Sequence, residues 1–373
     1  MKVKEEEMSD TMKLSLVMIV RNEERCLKRC LISAKSYVDE IVIVDTGSTD
    51  RTKEIAKEFG AKIFDFEWCN DFSKARNYGL EQSTGDWNLI LDADEYITKL
   101  DKSTLVTFMK NPNKLGAIKV VNVLNKEGET NYSKVFLARL LPKGIRYIRS
   151  IHEQPDTILL SVKLPIEVEH DGYLNEVAKV KRNLLLLQEQ EKKYPNDSYI
   201  LYQLAYTLYL DKEYKKADEY FKRFYKLAPP ESEYRKAGII SYIENNTLLK
   251  RFEEGHKLIE REEIHLQDSS EFYFVCAAFY REYVLDDVKK NIQFLPYVEQ
   301  CYLECLNIGE TDKYDGAIGT GSYLAAYNLG VWYEVTKKYE KALECYNKAI
   351  EWQYEKAKVR RKEVVAMLNH KEQ

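Results

Sequence analysis

Nowhere in the 373 residues does an apolar run approach the roughly 20 residues that a bilayer-crossing helix needs. The first apolar stretch, Leu14 to Val20, is far too short. The opening MKVKEEEMSD lacks the basic-then-apolar order of a secretory signal. A cytoplasmic protein with a flexible start over residues 1–12 and no transmembrane segment is therefore expected. A basic excess is also missing: 57 Lys and Arg face 61 Asp and Glu, for a net charge of −4. That speaks against a general nucleic-acid binder, though not against a local basic groove. Histidine is scarce, at five, and the seven cysteines are odd in number and scattered. A zinc site needs His and Cys clustered more closely than this. Cys26/Cys30 and Cys301/Cys305 are spaced i,i+4 on expected helices, and the reading is buried free thiols in a reducing compartment. What is present is ordinary globular composition, 45% hydrophobic and 32% charged, over a length that suits two domains.

The two halves are written differently. From residue 13 to about 174, short apolar runs alternate with helical stretches. LSLVMIV (14–20), EIVIVD (40–45), AKIFDF (61–66) and WNLILD (87–92) read as buried strands. The segments Arg21 to Ser36, Arg51 to Phe59 and Phe72 to Glu81 between them read as helices. Unbroken apolar strands joined by helical crossovers predict an α/β domain with a mainly parallel, Rossmann-like sheet. AIKVVNVL (117–124) and VFLARLL (135–141) follow as later strands, with turns or a hairpin suggested by Gly128 and Pro142.

From residue 175 to 373 strand signals vanish, and Tyr, Leu, Lys and Glu recur at helical spacing. Leu204, Ala205, Leu208, Ala217, Phe221, Phe224 and Pro229 align at one register with Leu329, Gly330, Tyr333, Ala342, Tyr346 and Ala349. This is the tetratricopeptide pattern, in which small residues let two helices approach and aromatics fill the gap. Ser232 to Leu306 reads as degenerate repeats within one all-α solenoid. Most of the 28 tyrosines are expected to be core. A stacked array also offers a concave surface suited to an extended peptide.

Polar clusters sit at the expected strand ends. Val20 is followed by Arg21, Asn22 and Glu23, and Val44 by Asp45-Thr46-Gly47-Ser48-Thr49-Asp50. Leu91 is followed by Asp92, Ala93, Asp94 and Glu95. In an open α/β sheet, ligands bind beyond the carboxyl ends of the strands. Asp92 and Asp94, at i and i+2 of an extended segment, are expected to point the same way and face one divalent ion. Mg²⁺ or Mn²⁺ there would neutralise a departing diphosphate. Asp45, ending an apolar strand, is placed to accept a hydrogen bond from a base N–H. Ser48 or Thr49 also reads as a helix cap, with Gly47 in the turn. No Gly-x-Gly-x-x-Gly or Walker A loop is present, so basic side chains must share the phosphate charge, and Arg76 is the best placed.

The strings VMIVRNEE (17–24), EIVIVDTGSTD (40–50), DFSKARNYGL (71–80) and WNLILDADE (87–95) resemble the inverting glycosyltransferase family 2, which has a GT-A fold. The resemblance covers roughly residues 13–172. It implies a UDP-sugar donor, with Val20, Arg21, Asn22, Glu23, Asp45, Gly47 and Ser48 around the uridine. It also implies Asp92, Ala93 and Asp94 around the metal and diphosphate. NDFSKARN (70–77), IHEQP (151–155), EHDGY (169–173) and the helical second half resemble a narrower group. These are peptide glycosyltransferases of the sublancin and thurandacin type, which modify Cys or Ser of bacteriocin precursors. Transfer of a hexose to such a peptide, held along the repeats, is the implied function. A homodimer through the repeats is compatible with it.

Inversion needs a base opposite the leaving group. Glu153 is the first candidate and His152 the second, and Asp94 could share base and metal work. His170 reads equally as a further metal ligand or as a structural histidine. Three other readings stand beside this one. The first is the same fold acting on a lipid carrier or cell-surface glycan. The second is a non-enzymatic repeat scaffold, against which the intact aspartates speak. The third is a nucleotidyltransferase, which would show a Gly/Arg/Lys-rich phosphate loop.

Overall fold

The computed structural model describes residues 12–126, 129–171 and 176–371. The expected flexible start lies almost wholly outside these residues, as do Gly128 and the boundary at 174–175. Two compact units part near residue 176, with Asn131–Ser133 grouped with the second.

The first unit is built on one sheet. Its opening strands are β1 (Leu14–Val20), β2 (Glu40–Asp45), β3 (Lys62–Asp65) and β4 (Trp87–Ile90). All of β2 and β4 is buried, and all but one residue of β1. That is why the sequence shows continuous apolar runs instead of alternation. Helices α1 (Leu27–Ala34), α2 (Thr52–Glu58) and α3 (Phe72–Gln82) connect them. β1 pairs in parallel with β2 (Val20 opposite Asp45) and with β4 (Leu14 opposite Trp87), and β2 with β3. The carboxyl ends of β1, β2 and β4 therefore meet at one edge.

Beyond β4 the sheet becomes mixed. β5 (Glu95–Lys99), α4 (Lys102–Met109), β6 (Lys114–Lys126), β7 (Glu129–Pro142) and β10 (Leu160–His170) follow, with β8 (Tyr147–Ile148) and β9 (Gln154–Pro155) forming a small separate hairpin. The order is β3-β2-β1-β4-β7-β6-β10-β5. β7 runs antiparallel to β4, β10 parallel to β6, and β5 antiparallel to β10. One apolar cluster packs Leu16, Met18, Leu27, Leu31 and Ile43 together, and another packs Val17, Val42, Ile90 and Leu141.

The second unit is helical. After α5 (Glu176–Lys193) come α6 (Ser198–Leu210), α7 (Tyr214–Leu227), α8 (Glu233–Leu248), α9 (Phe252–Leu266) and α10 (Ser270–Asp286). Then come the single turn α11 (Val288–Asn291), α12 (Leu295–Ile308), α13 (Tyr323–Val335), α14 (Tyr339–Glu351) and α15 (Glu355–Lys371). The register positions found in the sequence are core: Leu204, Ala217, Phe221 and Phe224 in one repeat, and Leu329, Ala342, Tyr346 and Ala349 in the other, are all buried. Each large side chain of this kind contributes about 1.5–3 kcal/mol through burial. Six cysteines are buried free thiols, but Cys69 is exposed, which corrects the expectation for that residue. It lies in the loop between β3 and α3. Among the described residues no helix is long and apolar enough to cross a membrane.

Candidate active site

The first two strand ends are stitched to each other. Asn22, in the left-handed region at φ 57°, donates its amide to Ser48 Oγ at 2.9 Å and accepts from the Thr49 amide at 2.8 Å through Oδ1. The Glu23 amide donates to Thr52 Oγ1 at 2.7 Å. Asp45, 1% exposed, uses Oδ1 to accept the amides of Gly47 (φ 106°) and Ser48 at 2.9 and 2.8 Å. Its Oδ2 is buried with no hydrogen-bond partner. A buried acceptor left unsatisfied costs about 1–3 kcal/mol, more when charged, so its retention at a strand end points to a ligand donor.

The DFSKARN string performs three local tasks. Asp71 caps α3, accepting from the Lys74 amide at 3.1 Å. Asn77 holds the β8–β9 hairpin by bonds to the Tyr147 carbonyl and amide at 2.8 and 2.7 Å. Arg76 faces the acidic turn. Its Nε donates to Glu153 Oε1 and its Nη2 to Asp92 Oδ1 at 2.8 Å, while Nη1 is buried without a partner. Glu153 lies in the β8–β9 loop, where Arg149 (φ 79°) and His152 (φ 49°) both take the left-handed conformation. Strain of this kind persists where the surroundings enforce it and clusters at functional sites.

The D-x-D string departs from its expected geometry. β4 ends at Ile90, short of the expected Asp92, and residues 92–95 form a turn closed by the Glu95 amide on the Asp92 carbonyl at 3.1 Å. Strand alternation therefore does not apply, and the two aspartates take different partners. Asp92 gives Oδ1 to Arg76 and Oδ2 to Arg139 at 2.9 Å. Arg139, from β7, also reaches Glu95 Oε1 at 3.2 Å. Burial would raise the Asp92 carboxyl, but the two guanidiniums hold it well below the usual carboxylate range. Asp94 instead lies against His170, whose Nε2 is 3.2 Å from Asp94 Oδ2. β-Sheet register explains this meeting: His170 pairs with Glu95 on β5 and with Asn122 on β6. Asn122 Oδ1 is 2.9 Å from His170 Nδ1. Burial pushes the imidazole down, yet the Asp94 bond and charge outweigh it and raise its pKa.

The structure thus gathers Arg76, Asp92, Asp94, Glu153 and His170 at the sheet edge, with Asn22, Asp45 and Ser48 beside them. Arg21 is exposed and Val20 and Ala93 are buried. Arg139 and Asn122 were not anticipated. Each is a polar residue inside a mostly apolar strand, VFLARLL and AIKVVNVL, and that intrusion was their signal. Among the described residues no group of three or more His, Cys, Asp or Glu is arranged to hold a metal.

Residues 15–159 match the family described as Glycosyl transferase family 2. Residues 323–356 match the tetratricopeptide repeat. The chain is 35% identical over 236 residues to a TPR repeat-containing protein of Synechococcus elongatus, covering 58% of each chain. It is 29% identical over 228 residues to the glycosyltransferase SunS of Bacillus subtilis, covering 58% of this chain and 54% of that one. The chain thus spans a little over half the length of these curated relatives. The solved structure of S. aureus TarS 1–349 in complex with UDP covers 65% of this chain and 92% of its own at 17% identity, with a TM-score of 0.37.

Proposed function

We propose that this protein is an inverting glycosyltransferase that moves a hexose from a UDP-sugar to a Cys or Ser side chain of a peptide. The observation that carries the donor half is the unsatisfied, buried Oδ2 of Asp45, at the same sheet edge as the buried, unpartnered Nη1 of Arg76. Asp45 Oδ2 suits the N–H of a uracil ring. The free Nη1 of Arg76 suits a diphosphate oxygen, which guanidinium groups bind well. Asp94 Oδ2 and His170 Nε2 stand 3.2 Å apart and are both of the kind that ligates a divalent cation.

That donor set fits a divalent cation. Mg²⁺ and Mn²⁺ commonly take one or two protein ligands and complete their shell with water and substrate phosphate, so a closed cage of three is not required. An imidazole among the ligands favours Mn²⁺ over Mg²⁺. The hydrogen bond of His170 Nδ1 to Asn122 fixes the ring for such a role. The cation would supply charge neutralisation for the departing diphosphate.

The chain's own residues do the rest. In the transfer the acceptor sulfur or oxygen forms a bond to the anomeric carbon as the bond from that carbon to the diphosphate oxygen breaks. UDP leaves with the electron pair, toward Arg76. The acceptor proton passes to a base, for which Glu153, His152 and Asp94 remain the candidates. Glu153 accepts from Arg76 through Oε1, so Oε2 is the oxygen that would take a proton. A thiol acceptor asks less of the base than an alcohol does.

The peptide acceptor is supported by the match to SunS and by the tetratricopeptide helices, whose stacked form suits an extended chain. Purified protein incubated with a panel of UDP-hexoses and Mn²⁺ should release UDP, and Asp94→Ala should not. Metal-independent release, or release unaffected by Asp94→Ala, would count against the reading.

A further inference from the structure

The two aspartates of the D-x-D string are not equivalent. Both carboxylate oxygens of Asp92 are committed to guanidiniums, Oδ1 to Arg76 at 2.8 Å and Oδ2 to Arg139 at 2.9 Å. Arg139 is fixed in turn by Glu95, whose other oxygen accepts the Asp92 amide at 2.9 Å. Arg76 is fixed from the opposite side by Glu153. Three carboxylates and two guanidiniums therefore form one chain, Glu153–Arg76–Asp92–Arg139–Glu95, in a largely buried setting. Within it Arg76 keeps one buried nitrogen, Nη1, without a partner. A cation approaching Asp92 would have to displace one of two charge-assisted hydrogen bonds and would meet two positive groups. Asp94 instead faces the His170 imidazole, whose other nitrogen is held by an amide oxygen of Asn122.

We propose that Asp92 and Arg139 are positioning residues that present the Arg76 guanidinium to the diphosphate of the donor, and that Asp92 is not a ligand of the cation. This rests on the nucleotide-sugar reading above and deepens it. Phosphate recognition is thereby divided between a guanidinium relay anchored on α3 and β7 and a cation held where the end of β10 meets the turn before β5. Arg139, assigned nowhere else in the reaction, becomes the far support of that relay.

The test is calorimetric titration of the full-length protein with uridine, with UDP in EDTA, and with Mn²⁺ alone. In Asp92→Asn the amide oxygen can still accept from one arginine while its NH₂ repels the other. UDP affinity in EDTA should fall about tenfold or more, because a charge-assisted contact is lost. Uridine affinity and Mn²⁺ affinity should stay within about twofold of wild type, since neither contact runs through Asp92. Arg139→Gln should lose UDP affinity in the same direction and also keep uridine and Mn²⁺. Asp94→Asn should lose Mn²⁺ and keep metal-free UDP binding. A misfolded variant would lose uridine as well, and should that happen to Asp92→Asn, Arg139→Gln carries the decision. Loss of Mn²⁺ in Asp92→Asn as deep as in Asp94→Asn, or metal-free UDP binding unchanged in both Asp92→Asn and Arg139→Gln, overturns the inference. A wild-type protein that binds neither uridine nor UDP is a different result, and contradicts the nucleotide reading itself.

Discussion

His170, at the end of β10, places its Nε2 3.2 Å from Oδ2 of Asp94, although 76 positions separate them in the chain. The pairing of β10 with both β5 and β6 creates this contact, and Asn122 holds the far side of the ring. If the pair holds a cation, Asn122→Ala should weaken Mn²⁺ affinity or activity by about 10–100-fold, as loss of an outer hydrogen bond to a ligating histidine does. Electron paramagnetic resonance of free Mn²⁺ would measure it. His170→Ala should be at least as damaging.

Asp45→Asn tests the base contact. The variant keeps an oxygen for the Gly47 and Ser48 amides but turns an NH₂ toward the position of the uracil N–H. Loss of a hydrogen bond to a charged acceptor, worth about 1.5–3 kcal/mol, should lower UDP affinity roughly 10–100-fold. The preference for UDP over CDP should shrink in competition titrations.

Much of this architecture was legible in the amino-acid order. β1 and β2 announce themselves because they are buried on both faces, and the DFSKARN string marks α3. β5 was hidden because its EYITK begins inside the acidic turn and is too short to show a period. α4 carries two buried side chains in eight residues, Leu105 and Met109, and left little pattern to read. β10 starts exposed, at Leu160 and Ser161, and has charged residues among its apolar ones, so it shows no continuous apolar run. The strand-end clusters were visible as strings, but the division of Asp92 from Asp94 was not. It depends on β4 ending two residues early and on Arg139, which arrives from a strand 47 residues on.

Glu244, on α8, predicts a pH effect in the helical unit. Burial, reinforced by the charge of Glu271 and opposed by a bond from Tyr209, pushes its carboxyl up to about 7 from an ordinary 4.5. The folded form thus binds a proton that the unfolded form releases near pH 4.5. Its stabilising contribution is complete below about pH 4.5, declines as pH rises, and is gone above about 7. Urea denaturation should show the unit losing up to about 3 kcal/mol over that window. Glu244→Gln should remove most of this decline.

Gly330 on α13 has no room for a side chain. A Cβ there would stand 2.7 and 2.8 Å from Cε1 and Cδ1 of Tyr346, which is fully buried. Gly330→Ala should destabilise the repeat helices by about 1–3 kcal/mol, the usual cost of overpacking. A lowered urea midpoint by circular dichroism at 222 nm would register it. An unchanged midpoint would mean that the α13–α14 pair packs more loosely.

A crystal structure with UDP and Mn²⁺ bound would test the central claim most directly. The account predicts the uracil N–H on Asp45 Oδ2, a diphosphate oxygen on Arg76 Nη1, and the cation touching Asp94 and His170. Nucleotide density away from the ends of β1, β2 and β4, with Asp45 Oδ2 still unmatched, would contradict it.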